Sequence, residues 1–108
     1  MIRGSIYWVN LEDSRPPEFG KTRPAVILSN SEQNAILPTV VVVPLSSHPP
    51  EIWPLRLELP AVPGLKNSFA VIPGLRQIRK SRLLDQLGSL PDEFLDALGE
   101  AATAYLGE

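Results

Sequence analysis

Cysteine is absent from this 108-residue chain, and histidine occurs once, at His48. Disulfides, thiolate nucleophiles and the Cys/His clusters that hold zinc are excluded together. No apolar run approaches the ~20 residues that a membrane-spanning helix requires, so no membrane partner is expected. The start, Met1-Ile2-Arg3-Gly4, lacks the basic head and apolar stretch of a signal peptide, which makes the cytoplasm the expected compartment. Basic residues are missing from the last 24 positions, where six acids give a net charge of −6. All ten Lys and Arg precede Asp85, against six acids, a net +4. The overall charge of −2 therefore conceals a basic body with an acidic tail. Such a body attracts polyanions, although ordinary solvated surface accounts for the charge equally well.

A chain of this length holds one domain, taken as residues 1–108, and one hydrophobic core. Small chains are marginally stable alone, and pairing with a second copy is a common remedy. Twelve prolines, about twice ordinary usage, punctuate the chain and separate short apolar stretches. Six of these read as strands: Ser5–Leu11, Ala25–Ser29, Thr39–Leu45, Pro54–Leu59, Ser68–Ile72 and Leu75–Arg79. The run TVVVVPL at 39–45 suits a strand buried on both faces, whereas Leu55, Leu57 and Leu59 alternate with Arg56 and Glu58. A shorter helical turn is expected over Ser81–Leu87, closed by Gly88. Ser89-Leu90-Pro91-Asp92 reads as the cap of a terminal helix with Phe94, Leu95, Leu98, Ala102 and Tyr105 on one face and Gly107 as its stop. The fold class expected is mainly β, a small barrel or sandwich of about six short strands with a C-terminal helix.

Two longer irregular segments, Glu12–Thr22 and Ser46–Trp53, hold the residues with chemical potential. This complement suits few hydrolytic reactions, but it is adequate for RNA cleavage, where the substrate brings its own nucleophile, the 2′-hydroxyl. The protein then needs to orient that hydroxyl, move protons and stabilise charge on the phosphorane. Arg23 stands where the first loop meets a strand, and a guanidinium fork there could match phosphate oxygens bidentately. On the residues alone, a surface arginine paired with Glu18 or another acid is the simpler reading. Ser46 and Ser47 follow a buried run and offer hydroxyls at a strand end, a place where serine also serves simply as a turn former. Arg76, Arg79, Lys80 and Arg82 place four of the ten bases within seven residues, beside Gln77. Arg15 and Lys21 add charge to the first loop, and Phe19 and Trp53 are aromatics suited to stacking on bases or to capping the core. His48, ahead of Pro49-Pro50, reads as solvated surface rather than as a general base.

Four collinear segments then carry a resemblance. They are Gly4–Leu11 (GSIYWVNL), Gly20–Asn30 (GKTRPAVILSN), Val42–Ser47 (VVPLSS) and Gln77–Leu83 (QIRKSRL). Together with the terminal helix they resemble the MazF/PemK (Kid) family of toxins over nearly the whole chain. The resemblance implies an SH3-like barrel, a homodimer, and sequence-specific cleavage of single-stranded RNA to a 2′,3′-cyclic phosphate with no metal or other cofactor. It also implies silencing by a MazE-like antitoxin. By similarity Arg23 takes the place of the family's catalytic arginine and Ser46 that of its usual threonine. Arg15, Phe19, Lys21, Ser47, Trp53, Gln77 and Arg79 are the expected RNA-binding residues. Three positions depart from the pattern: Ser5 replaces a common acid, Arg76 replaces the acid before the glutamine, and Ser46-Ser47-His48-Pro49-Pro50 replaces Thr-Ser and a polar residue. Arginine stays protonated near neutrality and makes a poor base, so proton transfer is expected through water or the substrate. The competing expectations on the same fold are a gyrase poison of the CcdB type, an RNA binder that does not cut, and a peptide-binding module. The first depends on a tryptophan near the C-terminus, where this chain ends Tyr105-Leu106-Gly107-Glu108.

Overall fold

A computed structural model describes residues 2–11 and 21–107. Among the described residues seven strands and two α-helices follow in the order β1 (Ser5–Asn10), β2 (Thr22–Ile27), α1 (Ser31–Ile36), β3 (Thr39–Ser46), β4 (Arg56–Glu58), β5 (Phe69–Val71), β6 (Arg76–Arg79), β7 (Leu83–Ser89) and α2 (Asp92–Leu106). The strands hydrogen-bond in the order β4-β5-β3-β2-β1-β7, with β6 pairing β3 off this path, and every pairing is antiparallel. The fold is mainly β with a C-terminal helix.

The β-branched run on β3 shows why it lacks alternation. Val43 and Leu45 join one apolar cluster with Ile6, Val26, Leu57 and Ile72, closed by Leu95, Leu98 and Ala101 of α2. Val40 and Val42 join a second with Val9, Leu11, Ala25, Ile27 and Ile78. A strand covered on both faces needs apolar residues at consecutive positions. Neighbouring β2 divides its residues between the same two clusters, Val26 to one and Ala25 with Ile27 to the other.

Three expectations need correction, and one element is added. The helical turn expected over 81–87 is confined to a short 3-10 turn at Lys80–Arg82, and from Leu83 the segment becomes the seventh strand. Leu83 and Leu87 have helical spacing, but pairing with β1 (Tyr7 opposite Gln86, Val9 opposite Leu83, with register shifts between) takes the backbone instead. Ser89 does not cap α2, because it is the last residue of β7, opposite Ser5; the helix starts at Asp92 behind Pro91 with no side-chain cap. The buried stripe of α2 ends at Ala102, and Tyr105 is exposed. Finally, α1 adds a helix that hydrophobic periodicity does not signal. Its cap is nonetheless in the sequence, since the Asn30 side chain accepts from the N–H groups of Glu32 (2.8 Å) and Gln33 (3.3 Å).

That short helix is fixed from beneath by the buried amide of Asn34. Its Nδ2 donates to the Ser29 carbonyl (3.0 Å), its Oδ1 accepts the Ser29 hydroxyl, and Ser29 Oγ in turn accepts the N–H of Val41 (3.0 Å). Buried polar groups satisfied in this way set the path of the β2–β3 connection.

Candidate nucleic-acid interface

Strand register brings the two principal sequence candidates together. Between β2 and β3 the pairs are Ala25–Pro44, Val26–Val43 and Ile27–Val42. Arg23 near the start of β2 and Ser46 at the end of β3 lie two places beyond the Ala25–Pro44 pair. Both residues line one open pocket of about 360 Å³. Its other walls are Trp8, Lys21, Thr22, Pro24, Leu45, Ser47, Gly64, Leu65, Lys66 and Ser68.

The local chain explains each wall. Leu11 N–H donates to the Lys21 carbonyl at 2.8 Å, closing the segment between β1 and β2 at its base. Lys21 adopts φ +63°, a left-handed conformation uncommon outside glycine, which turns the chain into β2. Arg23 then pairs with Val9 of β1, and Pro24 with Trp8, so the indole stands on the neighbouring strand. Arg23 is half-buried while Lys21 is exposed. On the other side β3 leaves β2 and pairs with β5 through Leu45–Ala70 and Ser46–Phe69. The β4–β5 connection completes the pocket, held at its base by Leu59 N–H on the Ser68 carbonyl (2.9 Å) and within by Ser68 Oγ on the Lys66 carbonyl (2.7 Å).

An apolar wall of Trp8, Pro24, Leu45 and Leu65 beside three cations and several hydroxyl groups suits a ligand with a flat ring and an anionic group. A nucleotide has both. Trp8, Lys66 and Ser68 are pocket residues that the sequence alone does not single out. Period two is the available signal for Trp8, since Val9 and Leu11 point inward and leave Trp8 on the opposite face. Nothing local marks Lys66, which reaches the pocket only because β5 pairs with β3. Exposed and lining the pocket, Lys66 is expected to neutralise one phosphate. Lys66→Ala should reduce the slope of log affinity against log salt by about 0.7 for single-stranded RNA, measured by titration at several salt concentrations. An unchanged slope places Lys66 outside the binding track.

Other sequence candidates lie elsewhere. Gln77 and Arg79 are exposed on β6, which pairs with the opposite end of β3 through Thr39–Arg79 and Val41–Gln77. Gln77 Nε2 donates to Thr39 Oγ1 at 2.8 Å, and Arg79 lines a second pocket of about 490 Å³ with Pro38, Thr39 and Ser81. Thr39 and Ser46 are seven residues apart on one strand, roughly 23 Å at strand rise. Arg82 instead donates from Nη1 to the Asn10 carbonyl (3.1 Å), tying the turn before β7 to the end of β1. Trp53 is 54 % exposed between β3 and β4, beside exposed Ile52 and Leu55, and does not line the first pocket. Arg15 and Phe19 lie outside the described residues. His48 is exposed, as expected, yet its ring stands against Ser46 Oγ.

The family model described as PemK-like, MazF-like toxin of type II toxin–antitoxin system matches residues 2–106. The chain belongs to this toxin family. Among curated relatives, Endoribonuclease MazF9 of Mycobacterium tuberculosis is 33% identical, over 98% of this chain and 96% of its own. Endoribonuclease EndoA of Bacillus subtilis is 29% identical, over 92% and 88%. In three dimensions the chain is similar to MazF from Deinococcus radiodurans, with a TM-score of 0.85, 25% identity, and coverage of 100% of this chain and 97% of that one. The toxin family thus accounts for the whole path from β1 to α2. Among the described residues no three His, Asp or Glu side chains converge as a set of metal ligands, and no helix is long and apolar enough to cross a membrane.

Proposed function

We propose that this toxin is a sequence-specific endoribonuclease acting on single-stranded RNA in the cytoplasm. In this reading the 2′-hydroxyl attacks the adjacent phosphorus, the P–O5′ bond breaks, and a 2′,3′-cyclic phosphate remains. Arg23 holds the phosphorane oxygens through its guanidinium fork, and the Ser46 hydroxyl stands beside the reacting ribose and phosphate. The observation that carries this reading is the shared pocket of Arg23 and Ser46 at the ends of β2 and β3. Because the nucleophile comes with the substrate, the reaction asks for no bound metal to generate one. Similarity to two curated endoribonucleases over most of the chain supports the assignment.

Lys21, Ser47, Lys66 and Trp8 flank the reacting phosphate in this account, and Gln77 with Arg79 hold a more distant part of the strand. Arg15, Phe19 and Trp53 are further contacts in the proposal. The β3 strand pairs with β2 along one edge and with β6 and then β5 along the other. We read the curled sheet as an SH3-like barrel and residues 1–108 as one domain. Membership of a toxin–antitoxin family supports a MazE-like antitoxin as protein partner, and the active species is proposed to be a homodimer. RNA cleavage measured beside gyrase supercoiling tests the activity: cleaved transcripts with unimpaired supercoiling are expected. Inhibited supercoiling with intact RNA would assign a different poison to this fold.

A further inference from the structure

Arginine at position 76 leaves the proposed ribonuclease without an obvious proton acceptor, and the surroundings of Ser46 supply one. The backbone N–H of His48 donates to Ser46 Oγ at 3.1 Å, and Nδ1 of the same histidine stands 3.1 Å from that oxygen. The N–H already donates to the hydroxyl, so with neutral imidazole protonated at Nε2 the Ser46 proton is directed at Nδ1. Three constraints hold the His48 backbone from which the ring reaches Ser46. The N–H is bound to Ser46, the His48 carbonyl accepts Arg56 Nη1 from β4 at 3.1 Å, and the following Pro49 restricts His48 to extended backbone. Ser46 is 4 % exposed, whereas His48 is exposed, so the pair runs from the pocket lining outward to solvent.

We propose that His48 takes up the proton released by the attacking ribose, acting through the Ser46 hydroxyl; this rests on the endoribonuclease reading. As O2′ bonds to phosphorus and P–O5′ breaks, the O2′ proton passes to Ser46 Oγ while the Ser46 proton passes to His48 Nδ1. The departing O5′ takes a proton from water, and the imidazolium later returns its proton to solvent. Ser46 is a neutral hydroxyl before and after, and no oxidant or metal enters the balance. His48 is thus a positioning and proton-accepting residue behind Ser46. The charged groups on the adjoining elements are Arg56, which donates to the His48 carbonyl, and Glu58 of β4, Glu51, whose carboxylate accepts the Glu58 N–H (2.8 Å), and Lys21, Arg23 and Lys66 of the pocket that Ser46 lines.

The test is a single-turnover cleavage rate against pH for the wild type, His48→Ala, His48→Asn, Ser46→Ala and the Ser46→Ala/His48→Ala double variant. The wild-type rate should rise with pH through deprotonation of one group and then level. His48→Ala should lose about 100-fold on the plateau and lose the rising limb, with RNA affinity kept within about twofold. His48→Asn can accept the Ser46 hydrogen bond through Oδ1 but takes no proton, so it should be as slow as the alanine variant. In the Ser46→Ala background, removal of His48 should cost little more, because the two act as a unit. Added imidazole should partly restore His48→Ala. Wild-type rate and pH profile in His48→Ala would overturn the relay while leaving the nuclease intact, as would full activity in His48→Asn. A wild-type protein that cuts no RNA removes the nuclease reading and the relay together.

Discussion

Replacing Arg23 with alanine is expected to slow RNA cleavage about a thousandfold, the usual consequence of removing a donor to a developing oxyanion. The effect should fall on the chemical step rather than on the fold. Arg23 contributes to the sheet through its backbone, which pairs with Val9, and alanine keeps that backbone pairing. The two strands remain anchored by Ala25, Val26 and Ile27 in the core. Arg23→Lys restores the charge without the fork and should recover only part of the loss. Single-turnover rates and thermal melting of both variants check this. A cleaving Arg23→Ala protein would remove Arg23 from the mechanism.

The largest effect on stability is expected at Gly4, which does not line the pocket of Arg23 and Ser46. Its φ is +93°, and a Cβ there would lie 2.5 Å from Cδ1 of Leu95 and within 3.2 Å of that residue's Cδ2 and Cγ. Rotating Leu95 does not clear three contacts at once, since its side chain is buried under the first apolar cluster. Nor can the backbone retreat. Gly4 N–H donates to the Ile27 carbonyl (2.7 Å), and its own carbonyl accepts the Leu90 N–H (2.9 Å), joining β1, the end of β2 and the entry to α2. Gly4→Ala therefore combines left-handed strain with overpacking and should cost about 3 kcal/mol. That corresponds to a melting temperature lower by roughly 15 °C for a domain of this size. Gly64 separates the two causes: its φ is +80°, but an added Cβ would meet nothing within 4 Å, so Gly64→Ala should cost only about 1 kcal/mol. Equal losses at the two glycines, read by calorimetry, would contradict the steric argument.

Local composition alone makes part of this molecule readable. The β-branched stretch 39–45 announces a strand covered on both faces, and β3 serves both apolar clusters. Residues 83–89 mislead because leucines four apart fit either a helix or a bulged edge strand, and only the partner strand β1 decides between them. The site divides in the same way. Arg23 and Ser46 are marked by their places at strand ends, but their meeting depends on the β2–β3 register, which a sequence does not display. Lys66 reaches the pocket through a long-range pairing, so nothing in its own neighbours marks it. His48 has the least informative context, a loop ahead of two prolines, and its meaning lies in a contact with a residue two places earlier.

Incubation of the pure protein with a long transcript in the presence of EDTA, followed by mapping of the new ends, addresses the central claim most directly. The account predicts cuts within single-stranded stretches at one recurring short sequence, leaving 2′,3′-cyclic phosphate on one side and 5′-hydroxyl on the other. Transcripts of varied sequence that stay whole, with chelator or without it, would contradict it.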